Sequence, residues 1–166
     1  MHAAPCSIRV ASPSDRALVL YFHEQLYVQY RQRVVPSAER QMGDYRQLQE
    51  VLAEDVRSLL GRPGALVLLA EQGPERLPVG YLSAQFQVDT RRALPRRATI
   101  EDWYVEPSCR TQGIGTALFA EAEKRLRAQH CELIESATWP SNTPARRAHE
   151  HLGFLEVEIR YRKRLR

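Results

Sequence analysis

Residues 101–116, EDWYVEPSCRTQGIGT, constrain this chain more than any other stretch. An apolar, aromatic run ends in Val105, turns at Pro107, enters a glycine loop and continues into an amphipathic segment. A strand that feeds a glycine loop at a helix start presents backbone N–H groups without intrahelical partners at the positive end of the helix dipole. Arg110 adds a cation, and Gly113 and Gly115 let an anionic group approach the backbone without interference from a Cβ. A lone G-x-G would carry little weight. The spacing Arg110-x-x-Gly113-x-Gly115, with a strand before it and a helix after it, points to a phosphate cradle.

The rest of the chain builds a sheet around this corner. Residues 7–10 predict a short first strand, and Ser12-Pro-Ser-Asp15 has the form of a capping box with proline at the first helical position. Leu18, Phe22 and Leu26 form the apolar stripe of that helix. Residues 31–43 read as polar and irregular. A second helix is expected over 44–60, with Tyr45, Leu48, Leu52, Val56 and Leu59 inward, and Gly61-Arg-Pro-Gly64 stops it. The period then shortens to that of strands: 65–71, 79–88 and 98–105. A helix over 115–129 carries Ile114, Leu118, Ala122 and Leu126 on one face, with Glu121–Arg125 and Glu123–Arg127 as solvent-side pairs. A strand at 133–138, a helix at 144–152 and final strands over 154–164 complete the order β-α-α-β-β-β-α-β-α-β-β.

With 166 residues and 43% hydrophobic content, one domain spanning 1–166 can bury a sizeable core. No apolar stretch approaches the ~20 residues needed to span a bilayer, so no membrane partner is expected. The first residues lack a basic start and an apolar run, which argues against a secretory signal. Cys6, Cys109 and Cys131 are odd in number and have no metal-ligand spacing, which suits a reducing cytoplasm. The charge of +4 comes mainly from arginines around Pro95 and in the tail 160–166. Such clusters can bind phosphate, but charges also protect edge strands, and no stacking or helix-turn-helix motif accompanies them. Nucleic acid is not the expected partner, and the sequence leaves room for a homodimer.

The stretch Tyr104-Val-Glu-Pro-x-x-Arg-x-x-Gly-Ile-Gly-Thr-x-Leu resembles the acetyl-CoA signature of the GNAT-type N-acetyltransferases. Asn142-x-x-Ala145 and Leu152-Gly-Phe154 match the later helix and strand of that family. The resemblance implies an α/β fold, a mixed, mostly antiparallel sheet in which two central parallel strands (here 98–105 and 133–138) splay apart to admit acetyl-CoA. It implies that Arg110, Thr111, Gln112, Gly113, Ile114, Gly115 and Thr116 hold the pyrophosphate, and that Trp103, Tyr104 and Val105 run along the pantetheine. Asn142 would contact the pantetheine arm or cap its helix.

Acetyl transfer to an amine needs a neutral nucleophile, a polarised thioester carbonyl and a proton for the departing thiolate. An alkylamine with a pKa of about 10.4 is only about one part in a thousand neutral near pH 7, a penalty of roughly 4–5 kcal/mol. A carboxylate at the amine site can attract the cation and take its proton. Glu101 and Asp102 are adjacent on a strand, so their side chains are expected on opposite faces, and similarity to the polyamine-acetylating branch favours Glu101 as the cleft residue. In many family members a tyrosine five residues before the Phe of Leu-Gly-Phe protonates the thiolate. His149 stands there, on the inward stripe Ala145, Ala148, His149, Leu152, and either donates that proton or serves as a core residue. A metal at His149-Glu-His151 fails on geometry, because residues two apart on a helix do not face each other.

Tyr21, Tyr27, Tyr30 and Tyr45 fall in the segments that shape the acceptor pocket of such a fold. Tyrosines beside carboxylates suit a cationic amine. The expected activity is acetyl transfer from acetyl-CoA by direct attack of a small polyamine or diamine. A protein N-terminus, an aminoglycoside, an amino acid, and a non-catalytic module that binds nucleic acid or protein are the alternatives.

Overall fold

The computed structural model describes residues 6–165, apart from the side chains of Gln29 and Tyr30. Five strands form one sheet in sequence order: β1 (Cys6–Val10), β2 (Ala65–Gln72), β3 (Leu77–Val88), β4 (Arg96–Val105) and β5 (Leu133–Ser136). The first four pair antiparallel and β5 joins β4 in parallel, giving the mixed, mostly antiparallel sheet expected of the GNAT fold.

Both faces of the sheet are covered, which is why β2 reads as an unbroken apolar run. Leu66, Leu68 and Ala70 pack with Ile114, Leu118, Phe119, Ala122 and Leu126 of helix α5 (Ile114–Ala128). Val67 and Leu69 face the other way, against Val19 and Phe22 of α1 (Arg16–Glu24) and Val56 and Leu59 of α4 (Leu48–Gly61). Truncating one fully buried leucine, such as Leu118, to alanine is expected to cost about 2–5 kcal/mol.

The capping box at Ser12 forms: its backbone N–H donates to Asp15 Oδ2 at 2.8 Å. Arg9 bonds the same carboxylate and also Glu71, tying the helix start to β2 and holding Asp15 well below the usual carboxylate range. After α1 the chain makes a π-helical turn (Gln25–Tyr30). Two short helices follow, α2 (Arg31–Val34) and α3 (Ser37–Gln41), where the sequence suggested irregular chain. Helix α4 begins later than expected, at Leu48, so Tyr45 lies before it and is half exposed rather than packed inward.

Two expectations fail at the C-terminal end. Strand β5 stops at Ser136 and is the last strand of the sheet, so no strand flanks its outer edge among the described residues. Helix α6 (Thr143–His151) ends at Gly153, whose φ of 86° is the left-handed conformation a helix stop favours, and Phe154 then packs on Phe119 and His149. Beyond it, through Leu165, the final strands are absent. Among the described residues, no helix is long and apolar enough to cross a membrane.

Candidate active site

The site is organised by a bulge in β4. Ser83 of β3 pairs with Asp102 and the next residue, Ala84, pairs with Ile100, so Glu101 has no partner across the ladder. The extra residue rotates everything after it. Ile100, Trp103 and Val105 all face α5, while Asp102 and Tyr104 face the α1/α4 layer.

The expectation that Glu101 and Asp102 diverge to opposite faces is therefore incorrect, because the bulge breaks strand alternation at that point. Glu101 is exposed and pairs at 2.5 Å with Arg62, just past the end of α4. Asp102 is buried at 7% exposure. Its carboxylate accepts from Ser83 Oγ at 3.1 Å and lies 3.3 Å from His23 Nδ1. His23 also meets Tyr81 Oη at 3.0 Å, while its Nε2 is buried without a hydrogen bond, 3.8 Å from Asp55. Burial pulls the His23 imidazole down, but the Asp102 hydrogen bond and charge, together with Asp55, outweigh it and raise its pKa. Burial, then the Asp102 charge, pushes the Tyr81 phenol far above its usual range.

On the other side of β4, pairing with β5 covers only Arg97 to Ile100, opposite Leu133 to Ser136. From Glu101 to Val105 this edge of β4 has no strand beside it among the described residues, and this fork is the opening the fold was expected to hold. Trp103 stands at its side and His149 of α6 reaches into it. The two rings lie 5.7 Å apart edge to face. His149 Nδ1 sits 2.7 Å from the Ala145 carbonyl and Nε2 sits 2.7 Å from Ser136 Oγ. A carbonyl only accepts, so Nδ1 carries a proton, and in the neutral ring Nε2 accepts from the Ser136 hydroxyl. The proton nearest the fork then belongs to Ser136 unless the ring is protonated.

Past β4 the chain makes a short 3-10 turn (Pro107–Cys109) and the glycine loop. Thr111 at φ 62° and Gly113 at φ 80° curl the backbone, and Gly113 caps α5. Gln112 and Thr116 are exposed beside them. A Cβ on Gly113 would meet nothing within 4 Å, whereas one on Gly115 would stand 3.4 Å from Trp103 Nε1. The loop thus presents the first N–H groups of α5 in open space, which suits an anion. Ile114 contributes only backbone there, since its side chain is buried in the core. Arg110 donates from Nε to the Val105 carbonyl at 2.9 Å and stacks 5.6 Å from the Tyr104 ring, tying the loop to β4. Tyr104 itself is buried against Phe22 on the face away from α5, so it too can offer only backbone to a group in the fork. Asn142 accepts from Ala145 N–H at 3.3 Å as the cap of α6 and donates to Thr138 Oγ1 at 3.2 Å.

Of the four tyrosines, Tyr27 and Tyr45 line one pocket with Arg31 and Asp44, which pair at 2.7 Å. Tyr27 backs onto His23, ring to ring at 4.7 Å, so this pocket lies one layer from Asp102. Tyr21 is elsewhere, beside Glu106, and the side chain of Tyr30 lies outside the described residues. Ser136, Arg62 and His23 escaped the sequence reading, since their partners are brought to them only by tertiary contacts. No cluster of three or more metal-ligating side chains occurs among the described residues.

A forked sheet with a bulged strand running into a glycine-capped helix defines an acyl-CoA-dependent transferase. The chain belongs to the acetyltransferase (GNAT) family, whose profile matches residues 24–154, and it is an N-acetyltransferase with acetyl-CoA as co-substrate. It is 33% identical over 115 residues to an aminoglycoside N(6')-acetyltransferase type 1 of Klebsiella aerogenes, covering 69% of this chain and 75% of that one. The enzyme of the same name from Stenotrophomonas maltophilia is 27% identical over 160 residues, or 95% and 92% of the two chains. Among solved structures, the aminoglycoside N-acetyltransferase AAC(6')-Iy in complex with CoA shares the fold with a TM-score of 0.74 at 22% identity, covering 98% of this chain and 97% of the other.

Proposed function

We propose that this chain acetylates a primary amine of an aminoglycoside. The observation that carries the reading is the similarity to an aminoglycoside N(6')-acetyltransferase over 95% of this chain. The acceptor in this reading enters the pocket of Tyr27, Tyr45 and Asp44, which Arg31 and Arg40 also line. The two tyrosine faces can stack on ammonium groups of a rigid polycation, and an ammonium there exchanges with Arg31 for the Asp44 carboxylate, now 2.7 Å from that guanidinium. The similarity to aminoglycoside N(6')-acetyltransferases over nearly the whole chain supports this acceptor ahead of the polyamine that the Glu101-Asp102 pair suggested.

In this reading the N–H groups of residues 111–116 hold the pyrophosphate, and the free edge of β4 from Glu101 to Val105 bonds the pantetheine amides. Acetyl-CoA supplies the thioester, and a β4 N–H at the bulge polarises its carbonyl. Glu101 draws the incoming ammonium away from solvent, in competition with Arg62, and takes its proton directly or through water. The freed amine attacks the carbonyl directly. His149, carrying a second proton on Nε2, passes it through the Ser136 hydroxyl to the departing sulfur, and the now neutral ring regains a proton from solvent.

The test is a panel of acceptors assayed by release of free CoA thiol. An aminoglycoside with a 6'-amine should turn over, its 6'-hydroxyl analogue should not, and spermidine should be a poor substrate. Efficient turnover of spermidine with no turnover of the aminoglycoside would reverse the assignment.

A further inference from the structure

The bulge in β4 is gripped by side chains as well as by its ladder. Ser83 Oγ accepts from the Asp102 N–H at 3.1 Å and donates to the Asp102 carboxylate at 3.1 Å, so one hydroxyl holds both backbone and side chain of that residue. His23 Nδ1 lies 3.0 Å from Tyr81 Oη and 3.3 Å from Asp102, and the Tyr81 hydroxyl bonds the same carboxylate. The phenol gives its one proton to Asp102, so Nδ1 carries a proton of its own, shared between the two oxygens. All four residues are buried. Helix α1, β3 and β4 thus meet on one carboxylate, at the point where the strand slips register.

Stability alone does not call for such a cluster. The layer around it is apolar, built from Val19, Phe22, Val56, Leu59, Val67 and Leu69. Well-packed apolar side chains in place of a buried ion pair are often neutral or stabilising, so buried charge at the bulge points to a geometric duty. That geometry belongs to the free edge of β4. The Asp102 N–H turns toward β3, and so does the Glu106 N–H, which donates to the Val79 carbonyl at 2.9 Å. Strand N–H groups alternate between the two edges, so those of Trp103 and Val105 face the fork. The Trp103 N–H is the first of them past the bulge, and any swing of the bulge re-aims it.

We infer that His23, Tyr81 and Ser83 are positioning residues for acetyl transfer: through Asp102 they clamp the β4 bulge so that the Trp103 N–H meets the thioester carbonyl of acetyl-CoA. The inference rests on the proposed step in which a β4 N–H polarises that carbonyl, and it names both the N–H and what aims it. A donor fixed before the reaction begins serves the developing oxyanion without reorganisation. On a slack bulge the same donor leaves the line of the carbonyl, and a misplacement of about 1 Å can cost about 10²-fold in rate.

The test is infrared difference spectroscopy of acetyl-CoA, isotopically labelled at its thioester carbonyl and bound to the whole chain without acceptor. A hydrogen bond to the carbonyl lowers its stretching frequency, so the parent band is expected below that of free acetyl-CoA. Ser83→Ala and His23→Phe should each return the band toward the free position and lower kcat by about tenfold or more. Acetyl-CoA affinity, set mainly by the phosphate loop, should change less than about threefold. If His23→Phe fails to fold because Asp102 is left as a buried unpaired charge, His23→Phe with Asp102→Leu removes both groups and gives the same reading. A purely structural cluster would lower the unfolding temperature and leave the band in place. A parent band at the free position overturns the N–H contact and the clamp together. A displaced parent band that the variants keep, with kcat within about twofold of the parent, overturns the clamp alone. The band needs no acceptor, so the result stands apart from the choice of amine.

Discussion

Ser136 Oγ lies 2.7 Å from His149 Nε2, across the fork where β4 and β5 part. One residue comes from the end of a strand and the other from the inner face of a helix thirteen residues later. The contact turns a histidine that the sequence presented alone into half of a donor pair.

If the pair acts as one unit, its two single losses should not add. His149→Ala and Ser136→Ala are each expected to lower kcat by about 10²-fold, the low end for general-acid terms, with little change in acetyl-CoA affinity. The double variant should fall no further than His149→Ala. His149→Phe keeps the edge contacts with Trp103 and Phe154 without a donor, so it should be as slow as the alanine variant. Steady-state kinetics with a fold check decide the matter, and a Phe variant as fast as the parent would leave His149 as packing.

Glu101 is the expected base. Glu101→Gln should lower kcat/KM at least about tenfold at neutral pH and recover in part at alkaline pH, where solvent supplies the neutral amine. The Arg62 pair is about a third exposed, so it is worth no more than about 1 kcal/mol. Arg62→Ala should therefore lower the acceptor KM by no more than about fivefold. Equal pH–rate profiles for Glu101→Gln and the parent would remove Glu101 from the reaction.

The two loop glycines should respond differently. At Gly113 a side chain meets open space but an unfavourable φ of 80°, so Gly113→Ala should cost about 1–2 kcal/mol of stability. At Gly115 the obstacle is the Trp103 indole at 3.4 Å, so Gly115→Val should displace Trp103 and weaken acetyl-CoA binding. Calorimetric titration alongside thermal unfolding separates the two effects. A Gly115→Val protein that binds as tightly as the parent would count against the loop as the phosphate site.

The buried His23–Asp102 contact predicts a pH-dependent stability. His23 has its pKa raised in the folded state, so its contribution is fully present below its unfolded value near 6.5 and is lost as pH rises through the folded value. Asp102→Asn leaves burial, the largest influence on His23, opposed by Asp55 alone, so this part of the pH dependence should shrink or reverse in sign. Urea titrations from acid to alkaline pH read it directly. A parent and variant whose stabilities run parallel across the range would show that the contact contributes nothing through titration.

By itself the sequence determined what depends on short-range order. The Arg110-x-x-Gly113-x-Gly115 loop, the capping box at Ser12, the one-sided stripe of α5 and the Leu-Gly-Phe stop after α6 all follow from residues a few positions apart, where backbone preference and period suffice. Tertiary structure decided what depends on distant partners. The bulge at Glu101 arises only in the register of β3 against β4, and it turned both carboxylates toward the α1/α4 layer although local alternation separates them. Tyr45 left its helix and Tyr104 turned into the core because packing across layers, not helical or strand period, sets those contacts. The tail is the opposite case: its strand period is plain in the sequence, but a strand exists only when a neighbour supplies the other half of its hydrogen bonds, and among the described residues no such neighbour lies beside it.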